Sequence, residues 1–128
     1  MVELHRPNGR RGWLIVEDES LVAMLIEDAL TEANIPVFGL ASRVSQAMEL
    51  IRENSPDGAL LDVNLGGEPV FPVARTLAAQ GIPFLFLTGY SEAGLPAEFG
   101  TRLVLQKPLA VETILSAIAG LRAEQGSR

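Results

Sequence analysis

Residues 13–41, WLIVEDESLVAMLIEDALTEANIPVFGLA, hold a pattern that repeats along the rest of the chain. It opens on four apolar residues, Trp13–Val16, and turns acidic at Glu17, Asp18 and Glu19. Apolar residues at helical spacing follow, Val22, Leu25, Ile26, Ala29, Leu30 and Ala33, before a second apolar run at Val37–Ala41. A run with neither charge nor strict alternation suits a strand covered on both faces, whereas spacings of three and four suit a helix with one apolar stripe. Strand, helix and strand within about thirty residues is a βαβ unit.

The same alternation continues outward. Further apolar runs lie at 59–61, 84–87 and 103–105, and helical stripes at Val44, Ala47, Met48 and Ile51, at Val70, Val73, Ala74, Leu77 and Ala78, and at Val111, Ile114, Leu115 and Ile118. Pro36, Pro56 and Pro83 each precede a run, and Gly81 follows the third stripe where a C-cap belongs. Residues 91–100 occupy the place of a fourth helix but contain Gly94, Pro96 and Gly100, so a short, irregular or mobile element is expected there. Five such units require right-handed crossovers and a parallel sheet with helices on both faces. The expected fold is α/β, a flavodoxin-like doubly wound (βα)5 domain with a parallel five-stranded sheet in the order 2-1-3-4-5. It should span residues 12–122, with a flexible N-terminal tail at 1–11 and a C-terminal tail at 123–128. A chain of 128 residues buries about two thirds of its extended surface around one core, which leaves no room for a second domain. The protein is therefore expected to stand alone, without an attached output module.

Composition removes several classes of function. Sixteen acidic against ten basic residues give a net charge of −6, which disfavours non-specific binding to nucleic acid or to an anionic membrane. There is no cysteine and one histidine, His5, so thiolate or imidazole metal sites and Ser-His or Cys nucleophile systems are excluded. No apolar stretch approaches the roughly 20 residues of a membrane span, and the polar start lacks a signal-peptide core, so a cytoplasmic address is expected. Nine of the ten basic residues are Arg; the only lysine is Lys107.

In an open parallel sheet, ligands bind beyond the carboxyl ends of the strands. The first run ends in Glu17 and Asp18, the third in Asp62, the fourth in Thr88, and the fifth in Gln106 and Lys107. Three carboxylates crowded at central strand ends need protonation or a cation to relieve their repulsion. A hard divalent ion, Mg²⁺ or Mn²⁺, takes such oxygen ligands and leaves positions open for phosphoryl oxygens. Lys107 and Thr88 on the same rim suit the negative charge of a transferred phosphoryl group. Asp62, with Gly66 and Gly67 beyond it, is the candidate carboxylate nucleophile, forming an acyl phosphate.

Each residue also has a plainer reading. Glu17 and Asp18 would serve as a solvated helix start, Asp62 as an Asx turn, Thr88 and Gly89 as turn chemistry, Lys107 and Pro108 as a solvated strand end, and Tyr90 as a surface aromatic. What weighs against these is their joint arrival at one sheet edge.

L-I-V-E-D-E-S (14–20), L-L-D-V-N-L (60–65), F-L-T-G-Y (86–90) and Q-K-P-L (106–109) together resemble the receiver domain of two-component response regulators over residues 12–121. The resemblance implies that Glu17 and Asp18 are the acidic pair holding Mg²⁺, with Asp18 the more direct ligand, and that Asn64 adds its backbone carbonyl. It implies that Asp62 is the phosphoacceptor, Thr88 the switch hydroxyl, and Lys107 the lysine that usually precedes a cis proline, here Pro108. Gly89 and Tyr90 would modulate the site, Tyr90 by gating water or a partner's histidine. Receivers commonly carry Phe or Tyr where this chain has Val104, and a proline where it has Gly66. The first departure implies a switch without the usual aromatic, the second a looser loop. F-L-T-G-Y is similar to a subclass of stand-alone receivers with a Phe-Ala-Thr-Gly-Gly/Tyr pattern and a poorly ordered fourth helix.

The expected function is Mg²⁺-dependent acceptance of a phosphoryl group from a sensor histidine kinase or histidine phosphotransfer protein onto Asp62. Output would pass through a downstream protein target or onward relay, with no turnover substrate that would make the chain an enzyme. The alternative is a non-phosphorylated interaction module of the same fold. A phosphatase with a carboxylate nucleophile would need an acid or base where Asn64 stands. A flavin carrier would need a phosphate-binding loop after the first strand.

Overall fold

The computed structural model describes residues 11–89 and 95–126. In chain order its elements are β1 (Trp13–Val16), α1 (Ser20–Glu32), β2 (Val37–Ala41), α2 (Val44–Glu53), β3 (Gly58–Asp62), a two-residue pair β4 (Asn64–Leu65) and β5 (Glu68–Pro69), α3 (Phe71–Ala79), β6 (Phe84–Thr88), a 3-10 turn (Ala97–Phe99), β7 (Val104–Gln106) and α4 (Val111–Gly126). The main sheet is parallel and ordered β2-β1-β3-β6-β7. With the short antiparallel β4–β5 ladder set aside, this is the expected 2-1-3-4-5 arrangement.

The strands are apolar without alternation because both their faces are covered. On one face Leu14, Val16, Ala59, Leu61, Phe84 and Phe86 pack with Ala47 and Ile51 of α2 and Val73, Ala74 and Leu77 of α3. On the other, Trp13, Ile15, Leu60, Leu85 and Leu87 pack with Ile26 and Leu30 of α1 and Ile114 and Ile118 of α4. Gly58 fits at the start of β3 because the Trp13 ring lies against it; a Cβ there would sit 2.5 Å from the indole. Gly81 ends α3 at φ 71°, and the Ile82 N–H reaches back to the Leu77 carbonyl at 3.0 Å, as its capping role requires. Asn34, at φ 62°, closes α1 in the same way, through the Ile35 N–H and the Leu30 carbonyl at 2.8 Å.

The structure corrects the sequence reading in several places. The edge strands β2 and β7 are only part-buried, with Leu40 45% exposed, because each has a neighbour on one side alone. Leu25, counted in the first helical stripe, is 38% exposed, and Ala33 lies beyond α1. The last helix runs through Gly126, past the boundary expected at 122, since Ala123, Glu124 and Gln125 are good helix formers. Of the expected fourth helix, the described part forms only the 3-10 turn after Pro96. Residues 1–10, Tyr90 and residues 91–94 lie outside the described residues. Arg11, assigned to the flexible tail, has its N–H bound to Asp57 Oδ2 at 2.9 Å.

Candidate functional site

The carboxyl ends of the three central strands meet because their registers align: Val16 lies beside Leu61 and Ala41, Asp62 beside Leu87, and Thr88 beside Gln106. Glu17 and Asp18 follow β1, Asp62 ends β3, Thr88 ends β6 and Lys107 follows β7. Glu17, Asp62 and Thr88 are buried, at 3%, 5% and 9% exposure, while Asp18 is exposed. One carboxylate oxygen from each of Glu17, Asp18 and Asp62 lies within 4.8 Å of the others.

Lys107 reaches this cluster from the end of β7. Its Nζ donates to Glu17 Oε2 at 3.1 Å, to Glu19 Oε1 at 3.0 Å and to Asp62 Oδ2 at 3.3 Å. Its N–H donates to the Thr88 carbonyl at 2.7 Å, which ties the lysine to the end of β6. The Lys107–Pro108 peptide is cis, as the resemblance implies. Asp62 Oδ1 accepts the Asn64 N–H at 3.2 Å, and Asn64 Oδ1 accepts the Gly67 N–H at 2.6 Å, shaping the β4–β5 turn beside the carboxylates.

Burial, then the neighbouring Asp62, raise the Glu17 carboxyl to about 7. Burial likewise raises Asp62, against the lowering influence of Glu17 and Lys107. Burial opposes charge on Lys107, yet its contacts with Glu17, Glu19 and Asp62 outweigh this and hold it above the usual lysine range. The pocket thus carries more negative charge than one ammonium neutralises. Glu17 Oε1 is buried and accepts no hydrogen bond among the described residues, although Lys107 Nζ lies 3.0 Å away as an ion pair. A hard, oxygen-seeking divalent cation fits this donor set.

The remaining sequence candidates are placed less tightly. Gly89 is exposed with open space around its Cα, and Pro108 is exposed. Val104 lies beside Phe86 in the sheet and packs part-buried against the α2–α3 core. The residue missed was Glu19. Its signal is the third acid of the E-D-E triplet, which a reading by strand ends assigns to the helix start.

The sequence profile of the response regulator receiver domain matches residues 13–119. Among solved structures, SdrG from Sphingomonas melonis Fr1 is 42% identical with a TM-score of 0.78, over 88% of this chain and 96% of that one. SdrG has also been solved in a BeF3-activated conformation, attributed to Pseudomonas melonis Fr1, at 42% identity and a TM-score of 0.74 over 85% and 93% of the two chains. The receiver domain of the Erythrobacter litoralis PhyR response regulator is 26% identical with a TM-score of 0.79, over 91% and 92% of the chains. The sensory transduction protein LytT of Bacillus anthracis is 27% identical over 90% of this chain, which spans 48% of LytT's length.

Proposed function

The chain belongs to the response regulator receiver domain family, and from that membership we propose that it accepts a phosphoryl group on Asp62 from a phosphohistidine of a partner kinase or phosphotransfer protein. The observation that carries this reading is the Lys107 ammonium 3.3 Å from Asp62 Oδ2 in a buried carboxylate cluster. An Asp62 carboxylate oxygen attacks phosphorus, the donor's P–N bond breaks, and the imidazole leaves with the electron pair and takes up a proton. An acyl phosphate on Asp62 is the product.

Each residue has a defined task in that transfer. The Asn64 N–H orients Asp62 through Oδ1, which leaves Oδ2 facing Lys107. Lys107 supplies the fixed positive charge that the transferred group meets, and Thr88, tied to it through the backbone, supplies a hydroxyl on the same rim. Glu17, Asp18 and the Asn64 carbonyl would hold Mg²⁺ or Mn²⁺ together with Asp62. Such an ion, when bound, supplies the charge that lets an anionic donor approach an acidic pocket. Phosphorylation adds up to about two negative charges beside Thr88, enough to rearrange its loop and alter binding to a downstream protein. The chain has no turnover substrate in this reading, and it acts in the cytoplasm, where such partners reside. The BeF3-activated form of SdrG supports a phosphoryl-responsive site in this chain too.

The part-buried Val104, in place of the family's common aromatic, favours a second reading, an interaction module that is never phosphorylated. One experiment separates the two. Incubated with a small acyl phosphate and Mg²⁺, the protein should gain the mass of one phosphoryl group, and Asp62→Asn should gain none. No gain in the wild type, or an equal gain in the variant, would overturn the phosphoacceptor reading.

A further inference from the structure

Lys107 is held in a way that the transfer itself does not require. An ammonium has three N–H donors, and here they go to Glu17, Glu19 and Asp62. Asp62 has the longest of these contacts, 3.3 Å against 3.0 Å for Glu19. Glu19 occupies the N-cap position of α1, yet its side chain makes no capping hydrogen bond; its carboxylate turns to the lysine instead. Its own N–H donates to Glu17 Oε2 at 3.1 Å, which fixes the backbone from which it reaches. Of the three acceptors, Glu19 is the solvent-facing one, with its side chain 62% exposed against 0% for Glu17 and 8% for Asp62.

The geometry points to Glu19 as a positioning residue, a carboxylate latch that holds Lys107 toward α1 and competes with the phosphoryl group on Asp62 for its ammonium. This inference rests on the phosphoacceptor reading of Asp62. A phosphoryl oxygen needs one of the three donors, and the exposed Glu19 is the partner that water can replace at least cost. Glu17 is costlier to release, because its carboxylate is fully buried and would lose the ammonium as a countercharge. Glu19 therefore tunes how readily the site is occupied without touching the transferred group.

An exposed ion pair of this kind shifts an equilibrium by about two- to five-fold. The test uses the full chain at saturating Mg²⁺ and beryllofluoride as the phosphoryl mimic. Wild type, Glu19→Gln, Glu19→Asp and Asp62→Asn are compared after isotopic labelling of lysine. As Lys107 is the sole lysine, its Cε and Nζ give one set of resonances. Glu19→Asp keeps the charge but is one methylene too short for the contact, so it separates a latch from simple charge repulsion. The expected result is that both Glu19 variants bind beryllofluoride two- to five-fold more tightly than wild type. Their lysine resonances should differ from wild type before the mimic is added and converge with it at saturation. If Glu19→Asp matches wild type, or neither variant gains affinity, or the resonance differences persist undiminished at saturation, the latch is overturned while the phosphoacceptor reading stands. If wild type shows no Asp62-dependent response to beryllofluoride, both are overturned.

Discussion

Replacing Glu17 by Gln should make the metal-free protein more stable, although it removes an ion pair. The Glu17 carboxyl is raised from 4.5 to about 7 in the folded state, with burial the leading cause. Between those values the folded protein keeps a proton that the unfolded chain has released. Stability from this group is thus fully present below about pH 4.5, falls as pH rises to about 7, and stays low above it. The difference between 7 and 4.5, at about 1.36 kcal/mol per pH unit, is up to about 3 kcal/mol held against the ionised folded form. Gln keeps the shape and discards the charge, but it also weakens the contact with Lys107, so a net gain of about 1–2 kcal/mol is expected at pH 8. Lys107 has no part in this window, since its raised value lies above the usual lysine range. Urea denaturation in a chelator, at pH 5 and pH 8, measures the effect. The gain should be present at pH 8, shrink toward zero at pH 5, and reverse at pH 8 in saturating Mg²⁺, where the wild type alone keeps its full ligand set. A Glu17→Gln protein less stable than wild type at pH 8 without metal, or a gain equal at both pH values, would show that the buried Glu17 charge does not destabilise the fold.

Other consequences follow from the same contacts. Mg²⁺ should raise the wild-type unfolding temperature in a concentration-dependent way, and Asp18→Asn should lose most of that rise; calorimetry with and without the ion decides. Lys107→Ala should keep the native circular dichroism spectrum yet lower the rate of phosphorylation by a small acyl phosphate at least tenfold, read by intact mass against time. Gly58→Ala forces a Cβ against the Trp13 ring and should cost about 1–3 kcal/mol in urea, with a shift in the emission of the single tryptophan.

What the sequence discloses divides along physical lines. The central strands were legible because burial on both faces removes charge and alternation together, as in Phe84–Thr88 and its neighbours. Site residues at strand ends were legible because the sheet delivers them to one edge, so Glu17, Asp62 and Lys107 converge although 90 residues separate the first from the last. The half-exposure of Val37–Ala41 was missed although the expected order already put that strand at an edge, because its apolar run reads the same as those of the covered central strands. The β4–β5 ladder went unread because Gly66 and Gly67 look like a loop when their flanks are only two residues long. Glu19 was hidden by a sound local rule: an acidic residue at a helix start is ordinarily spent on the helix, and only the fold shows it spent on Lys107.

The proposed phosphoryl transfer stands or falls on whether Asp62 itself becomes modified. After treatment with a small acyl phosphate and Mg²⁺, reduction with borohydride converts an aspartyl phosphate to homoserine, and peptide mass mapping locates it. Homoserine is expected at position 62 and nowhere else; an unmodified Asp62, or homoserine at Asp18 or another acidic residue, would rule out Asp62 as the phosphoacceptor.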